Sequence, residues 1–351
     1  EPMIDKYGRE IDYLRISLTD RCNLRCIYCM PEEGVKSLSH AEILTYDEIL
    51  RICRCAADLG IRKIKLTGGE PLVRKGCASL AKQIKAIPGI EKVTLTTNGI
   101  LLAEQLDALL DAGIDAINIS LDTLDPELFK KVARRDGLEK VFEGIKAALA
   151  HPGLSLKINS VPVIKEKENF IGIAGLAQKY PIHVRFIEMM PIGYGAAYTG
   201  GSNEELFRQI EECYGNVSEA GTVRSREGEK YSADIRDLLC MQEKQQSGKH
   251  GAGPAAYYRF PGLNMDVGFI SAMHHKFCRS CNRIRLTSEG YLKLCLCYEK
   301  GVDLRAVLRD PGRKQTLQEV MKEAIFEKPA EHCFEQVSEM TEHNAMVRIG
   351  G

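Results

Sequence analysis

Cys22, Cys26 and Cys29 stand as CxxxCxxC within eight residues of the chain. Thiolates at that spacing on one loop can hold three corners of a [4Fe-4S] cluster and leave its fourth iron open for chemistry. Zinc is the competing occupant, but it needs a fourth ligand from elsewhere, and the nearest following histidine is His40. Common zinc spacings pair CxxC units, so the spacing favours the cluster. Further on, Cys278 and Cys281 form CxxC, Cys295 follows after thirteen intervening residues, and Cys297 lies just beyond. Spacing leaves a four-thiolate zinc ribbon and a second cluster equally open. Arg283 and Arg285 fall between these cysteines, two residues apart on one face of a predicted strand. They read either as an ordinary solvated strand face or as part of a polyphosphate clamp, because guanidinium pairs with phosphate oxygens bidentately.

The elements that must position these groups alternate. Short β-rich runs at Leu14 to Leu18, Lys63 to Thr67, Lys92 to Thr97, Ala116 to Leu121, Leu156 to Val161 and His183 to Ile187 are separated by amphipathic stretches. The stretches Tyr46 to Leu59, Cys77 to Ala86, Ala103 to Ala112, Glu139 to Ala150 and Phe170 to Lys179 carry apolar residues at helical spacing. Repeated βα units of this kind form a parallel sheet.

Strand parity carries a second message. Arg15, Ser17 and Thr19 share one face while Leu14, Ile16 and Leu18 share the other. The same split puts Lys63, Lys65 and Thr67, then Thr94, Thr96 and Asn98, then Asn118, Ser120 and Asp122 on polar faces. Lys157, Asn159, His183 and Arg185 continue the series. In a parallel sheet the apolar parity packs under the helices, so the polar parity faces the inside of a curved sheet. A closed eight-stranded barrel fills that interior with branched apolar residues. A cationic interior therefore implies an open, incomplete six-unit α/β barrel with a binding cavity on its concave face. Six half-solvated antiparallel strands would also alternate, although the intervening helices argue against them.

After Glu188 the composition shifts. Pro191 to Gly201 holds four glycines and reads as a linker, followed by a helix near Asn203 to Cys213. Met241 to Pro254 is too polar and Gly-rich to pack and reads as a surface excursion. Strands are expected at Tyr257 to Phe260, Met265 to Ile270, Arg283 to Thr287 and Tyr291 to Leu296, the last two joined by a turn at Ser288 to Gly290. The division expected is a barrel over residues 1–195 and a smaller α+β domain over residues 196–351.

Lys+Arg and Asp+Glu balance at 48 each in 351 residues, so nothing global points to nucleic acid or a membrane surface. No run approaches a membrane span, and Glu1 to Glu10 lacks the apolar core of a signal peptide, which makes a cytoplasmic location the expectation. The thirteen cysteines, six of them in two motifs, suit a reduced metal-binding set better than a disulfide framework. Cys53, Cys55, Cys77, Cys213, Cys240 and Cys333 read as plain thiols.

CxxxCxxC with Tyr28 before its last cysteine, together with Thr67-Gly-Gly-Glu-Pro71 after a strand, resembles the radical S-adenosylmethionine superfamily. Thr19-Asp-Arg-Cys22, Thr96-Thr-Asn-Gly99, Asn118-Ile-Ser-Leu-Asp122, Arg185-Phe-Ile-Glu188, Phe277-Cys-Arg-Ser-Cys-Asn-Arg-Ile-Arg-Leu286 and the terminal Gly350-Gly351 narrow the resemblance to the GTP 3′,8-cyclase family, over essentially the whole chain.

That resemblance implies one [4Fe-4S] cluster on Cys22, Cys26 and Cys29 whose open iron chelates S-adenosylmethionine, with Tyr28, Gly69, Ser120 and Met190 contacting the cofactor. It implies a second cluster on Cys278, Cys281 and Cys295 touching the guanine base, with Cys297 as the local ambiguity. Arg15, Lys65, Thr96, Lys157, Arg283 and Arg285 would bind GTP, with Lys63 and Arg185 as additions and the Gly350-Gly351 tail reaching into the site. The implied chemistry is abstraction of the ribose 3′ hydrogen by a 5′-deoxyadenosyl radical, attack on C8 of guanine, and reduction to 3′,8-cyclo-7,8-dihydro-GTP in molybdenum cofactor biosynthesis. Partners implied are a flavodoxin- or ferredoxin-type reductant and a downstream cyclic pyranopterin monophosphate synthase, with room for a homodimer. The rival functions are a radical peptide maturase with an auxiliary cluster and a non-catalytic scaffold with two zinc sites.

Overall fold

The computed structural model describes residues 2–199, 201–217 and 253–350. Most of Met241 to Pro254, together with Cys240 and Gly351, lies outside them. Alternation along the strands builds the sheet. β1 (Tyr13–Ser17), β2 (Lys63–Thr67), β3 (Lys92–Thr97), β4 (Ala116–Ser120), β5 (Ser155–Ser160) and β6 (His183–Ile187) pair in parallel, in chain order. The antiparallel alternative is thereby excluded.

Between the strands run α1 (Tyr46–Asp58), α2 (Cys77–Lys85), α3 (Leu102–Asp111), α4 (Pro126–Ala133), α5 (Leu138–Leu149), α6 (Lys167–Ala174) and α7 (Leu176–Lys179). The apolar strand parity, Leu14, Ile16, Ile64, Leu66, Val93, Leu95, Ile117 and Ile119, is fully buried. It shares one core with Ile49, Ile52, Leu80, Ile84, Leu106, Leu109 and Val141 of the helices. Burial of each such side chain contributes about 1.5–3 kcal/mol. The expected single helix from Phe170 to Lys179 is two, with Gly175 between them. α4 was not expected, although its signal is in the chain: Asp125 accepts from Leu128 N, and Pro126 sits in the first turn where no N–H is needed.

The second half of the chain extends this sheet at both edges. β8 (Val267–Ile270) lies parallel to β6 and carries β7 (Ala256–Tyr258) antiparallel outside it. β9 (Arg283–Leu286) lies parallel to β1, followed outward by β10 (Tyr291–Lys293) and β11 (Gly301–Asp303), both antiparallel. The eleven strands form one open sheet. The four strands expected here are present, but they pair onto the open edges of the six-stranded sheet, whose backbone donors and acceptors need partners. α8 (Asn203–Tyr214), α9 (Leu304–Arg309), α10 (Leu317–Phe326) and α11 (Met346–Ile349) complete the described elements. Residues 193–198 of the expected linker form a short 3-10 turn. No helix among the described residues is long and apolar enough to cross a membrane.

Candidate active site

The strand register sets cations side by side. Arg15 of β1 is the direct neighbour of Lys65 on β2 and of Arg285 on β9, so three cations from three strands stand in one rank on the concave face. All three line a cavity of about 320 Å³, as do Arg283 and Arg185. Packing like charges away from water disfavours the charged forms. Burial, then Arg283 and Arg185, brings Arg15 down to about 10, and burial with the surrounding cations holds Lys65 and Arg285 well below their usual values. The lining carboxylates do not relieve this strain. Glu70 accepts from Thr97 Oγ1, Asn98 N and Leu72 N; Asp122 accepts from Tyr28 and Val161 N; Glu188 accepts from His274, Met273 N and Asn203 N. Among the described residues, a buried rank of cations of this kind suits a polyanion.

At one end of the cavity the loop after β1 presents Cys22, Cys26 and Cys29, all free thiols. Leu24 N donates to Cys22 Sγ at 3.4 Å, and Asn98 Nδ2 approaches the same sulfur at 3.8 Å. The loop is fixed by the strand end carrying Gly68 and Gly69. Gly69 N donates to Thr19 O at 2.7 Å and Glu70 N to Arg21 O at 2.8 Å. A Cβ on Gly69 would stand 2.3 Å from Arg21 O, and Gly68 adopts a φ of +154°, so both positions require glycine. The close approach that these glycines allow is therefore to the backbone of the cysteine loop itself. Tyr28 donates to Asp122 Oδ2 at 2.6 Å, and burial pushes that carboxyl up to about 6. Burial likewise pushes Glu70 up to about 7 and Cys22 up to about 11.

At the other end Cys278, Cys281 and Cys295 line the cavity beside Arg283, Lys328 and His332. His332 N donates to Cys278 Sγ at 3.4 Å. Burial opposes the thiolate at Cys281, yet Arg283 and Lys328 beside it bring the group down to about 7. Cys297 is turned away, fully buried with its Sγ 3.1 Å from that of Cys333. Each end thus offers, among the described residues, three cavity-lining thiols and no fourth. Among the described residues no three His, Cys, Asp or Glu side chains converge as a single ion demands. Three thiols at an end are the donor set of a [4Fe-4S] cluster that keeps an open iron, and a closed four-thiolate zinc site would need one more.

Of the residues singled out in the sequence, Tyr28, Gly69, Ser120, Met190, Arg15, Lys65, Thr96, Arg185, Arg283, Arg285 and the six motif cysteines all line the cavity. Lys157 does not, although it shares the sheet face and is buried; burial, Arg185 and Lys92 hold it down to about 8. Lys63 does not either; at the start of β2 it pairs with Asp12 at 2.5 Å. Gly350 O accepts from Arg285 Nη1 at 2.8 Å, which places Gly350 at the cationic rank. Sequence reasoning missed Lys328, His332 and Phe277, which reach the cavity from irregular segments without periodic signal. The Arg283 guanidinium stacks 4.9 Å from the Phe277 ring.

The Radical SAM superfamily profile matches residues 16–173, and that of Molybdenum Cofactor Synthesis C matches residues 214–334. Among solved structures, Streptococcus suis SuiB bound to S-adenosylmethionine shares the fold, with a TM-score of 0.58 at 17% identity over 93% of this chain and 68% of that one. Fold and profile together define a radical S-adenosylmethionine enzyme. Curated GTP 3′,8-cyclases of Clostridium perfringens (strain SM101 / Type A) and Desulforamulus reducens are 41% and 40% identical, each over 99% of this chain and 100% of the relative. The chain belongs to the GTP 3′,8-cyclase family.

Proposed function

We propose that the cavity holds S-adenosylmethionine at the Cys22, Cys26 and Cys29 end and GTP between the two cysteine sets, and that the enzyme converts GTP to 3′,8-cyclo-7,8-dihydro-GTP. The observation that carries this is the rank Arg285, Arg15 and Lys65, reinforced by Arg283 and Arg185, in a cavity whose carboxylates are engaged elsewhere. When bound, a cluster on the first cysteine set together with S-adenosylmethionine supplies a radical able to take a hydrogen atom from ribose.

The chain's own residues then do the positioning. The cationic rank and Arg283 grip the triphosphate, so that the ribose 3′ carbon is held toward the first end; fixing reactants in this way can supply several kcal/mol of the barrier, roughly 7–11 at best. Thr96 and Lys157 lie farther along the same sheet face, on β3 and β5, and Lys157 reaches the phosphates once an anion draws it in. Tyr28, Gly69, Ser120 and Met190 contact the cofactor. A cluster on Cys278, Cys281 and Cys295 would take the guanine base on its open iron, the Arg283 and Lys328 charges favouring the thiolates there. Met190, Leu296, Phe334 and Met346 wall the cavity with apolar surface and exclude water from the radical. The Gly350 carbonyl on Arg285 puts the tail within reach of bound substrate. Electrons come from a flavodoxin- or ferredoxin-type protein, and the product passes to a cyclic pyranopterin monophosphate synthase.

The test is anaerobic iron and sulfide analysis after reconstitution, then incubation with S-adenosylmethionine, a strong reductant and GTP. About eight irons per chain and GTP-dependent 5′-deoxyadenosine are expected. About four irons with cleavage indifferent to GTP would refute the substrate and the second cluster together.

A further inference from the structure

Residues 2–15 precede the part of the chain matched by either profile, and they hold the most heavily bonded guanidinium near the second cysteine set. The Ile4–Glu10 bridge folds the segment back so that Asp5 and Arg9, both buried, pair at 2.6 Å. Arg9 Nη1 donates to Cys278 O and to Ala330 O, each at 2.9 Å. Its Nη2 donates to Pro329 O at 2.6 Å and to Lys328 O at 3.4 Å.

The carbonyls gathered here belong to one unit. Lys328 sends its ammonium to Leu294 O, next to Cys295, and His332 N donates to Cys278 Sγ. A single buried guanidinium therefore fixes the backbone at Cys278 and the segment whose Lys328 reaches the carbonyl next to Cys295. Four carbonyls and a carboxylate converge on it, which suits the five donors of a planar fork and cannot be met by the three of a lysine. None of these contacts reaches the loop of Cys22, Cys26 and Cys29.

We propose that Arg9 is a positioning residue for the second cysteine set alone: it holds the backbone of Cys278 and residues 328–330 in the geometry that admits a cluster there. The proposal rests on that set holding a cluster. Without Arg9 the four carbonyls and Asp5 lose their partner, and the segment carrying Lys328 and His332 moves away from the cysteines.

The experiment compares the unaltered chain with Arg9→Ala and Arg9→Lys after anaerobic reconstitution. Iron should fall from about eight to about four in Arg9→Ala and lie between in Arg9→Lys. The electron paramagnetic resonance change that S-adenosylmethionine causes at the first cluster should persist, while affinity for GTP drops more than tenfold. In metal-free protein, Cys278 should be alkylated faster in Arg9→Ala, and Cys22 at the parent rate. Eight irons with unchanged GTP affinity in Arg9→Ala, or loss of both clusters together, would overturn the proposal. About four irons in the unaltered chain would instead overturn the two-cluster reading beneath it.

Discussion

The two ends of the cavity carry the same donors, three thiols each, in different electrostatic surroundings. Around Cys22, Cys26 and Cys29 stand Glu70, Asp122 and Tyr28 together with Arg25, whose guanidinium donates to Cys22 O, and burial outweighs that cation, pushing Cys22 up to about 11 and raising Cys26 and Cys29 as well. Around Cys281 the neighbours are Arg283 and Lys328, and the thiol falls to about 7 against the effect of burial. Thiols of the first kind bind iron only by shedding protons they hold tightly. In the second set Cys281 is the thiol half prepared as a thiolate, while burial pushes Cys278 up; Arg283 beside Cys281 shares β9 with Arg285 of the rank that would seat a triphosphate. Under the proposed function the first end would serve the cofactor and the second the anionic substrate.

The sharpest way to break that contrast is to remove one cysteine from each end. Cys26→Ala should abolish S-adenosylmethionine cleavage altogether, by four orders of magnitude or about 5.5 kcal/mol. Cys281→Ala should keep the first cluster and slow cleavage uncoupled from GTP, yet give no cyclised product; equal loss of cleavage in both would contradict the division. Next in size, Arg285→Glu puts a carboxylate into the cationic rank and should weaken GTP binding at least a hundredfold, or about 2.7 kcal/mol. A peptide-modifying enzyme on this fold would be nearly indifferent, so titration calorimetry with GTP separates the two.

A finer test lies within β2. Lys65→Gln should lower GTP affinity by about tenfold to a hundredfold, since a bond between charged groups is worth roughly 1.5–3 kcal/mol. Lys63→Gln, which loses only the partly exposed pair with Asp12, should stay within about twofold. The smallest effect concerns pH. Lys157 is held down to about 8 when folded, against about 10.4 for a free lysine. Below pH ~8 both states carry the proton and the fold bears the full cost of the buried charge. Between about 8 and 10.4 the unfolded state binds more protons, so this group's contribution shifts toward stability as pH rises. In thermal unfolding without substrate, the parent should gain on Lys157→Met as pH climbs through that window. A constant difference would show that Lys157 does not titrate there.

How much of this was legible in the chain depends on whether a residue obeys a local period. Strand parity found Arg15, Lys65, Thr96 and Arg185 because a period of two is fixed by the backbone. It could not separate Lys63 from Lys65, which share a face; only the position of Asp12 against the start of β2 does that. Cys297 stayed ambiguous because spacing does not say which way a side chain turns, and its partner Cys333 is distant in sequence. Arg9, Lys328 and His332 act through irregular backbone, where no periodicity marks them. The six-stranded parallel sheet was readable from its βα alternation, whereas the pairing of β8 and β9 onto its two edges is a long-range choice that no short window encodes.

Transfer of deuterium from the 3′ position of GTP ribose to 5′-deoxyadenosine is the most direct test of a cavity with a radical end and a substrate end. With the triphosphate held on Arg285, Arg15 and Lys65, the label should appear in 5′-deoxyadenosine in the unaltered enzyme. Unlabelled 5′-deoxyadenosine formed alongside cyclised product would contradict the placement of the ribose toward Cys22, Cys26 and Cys29.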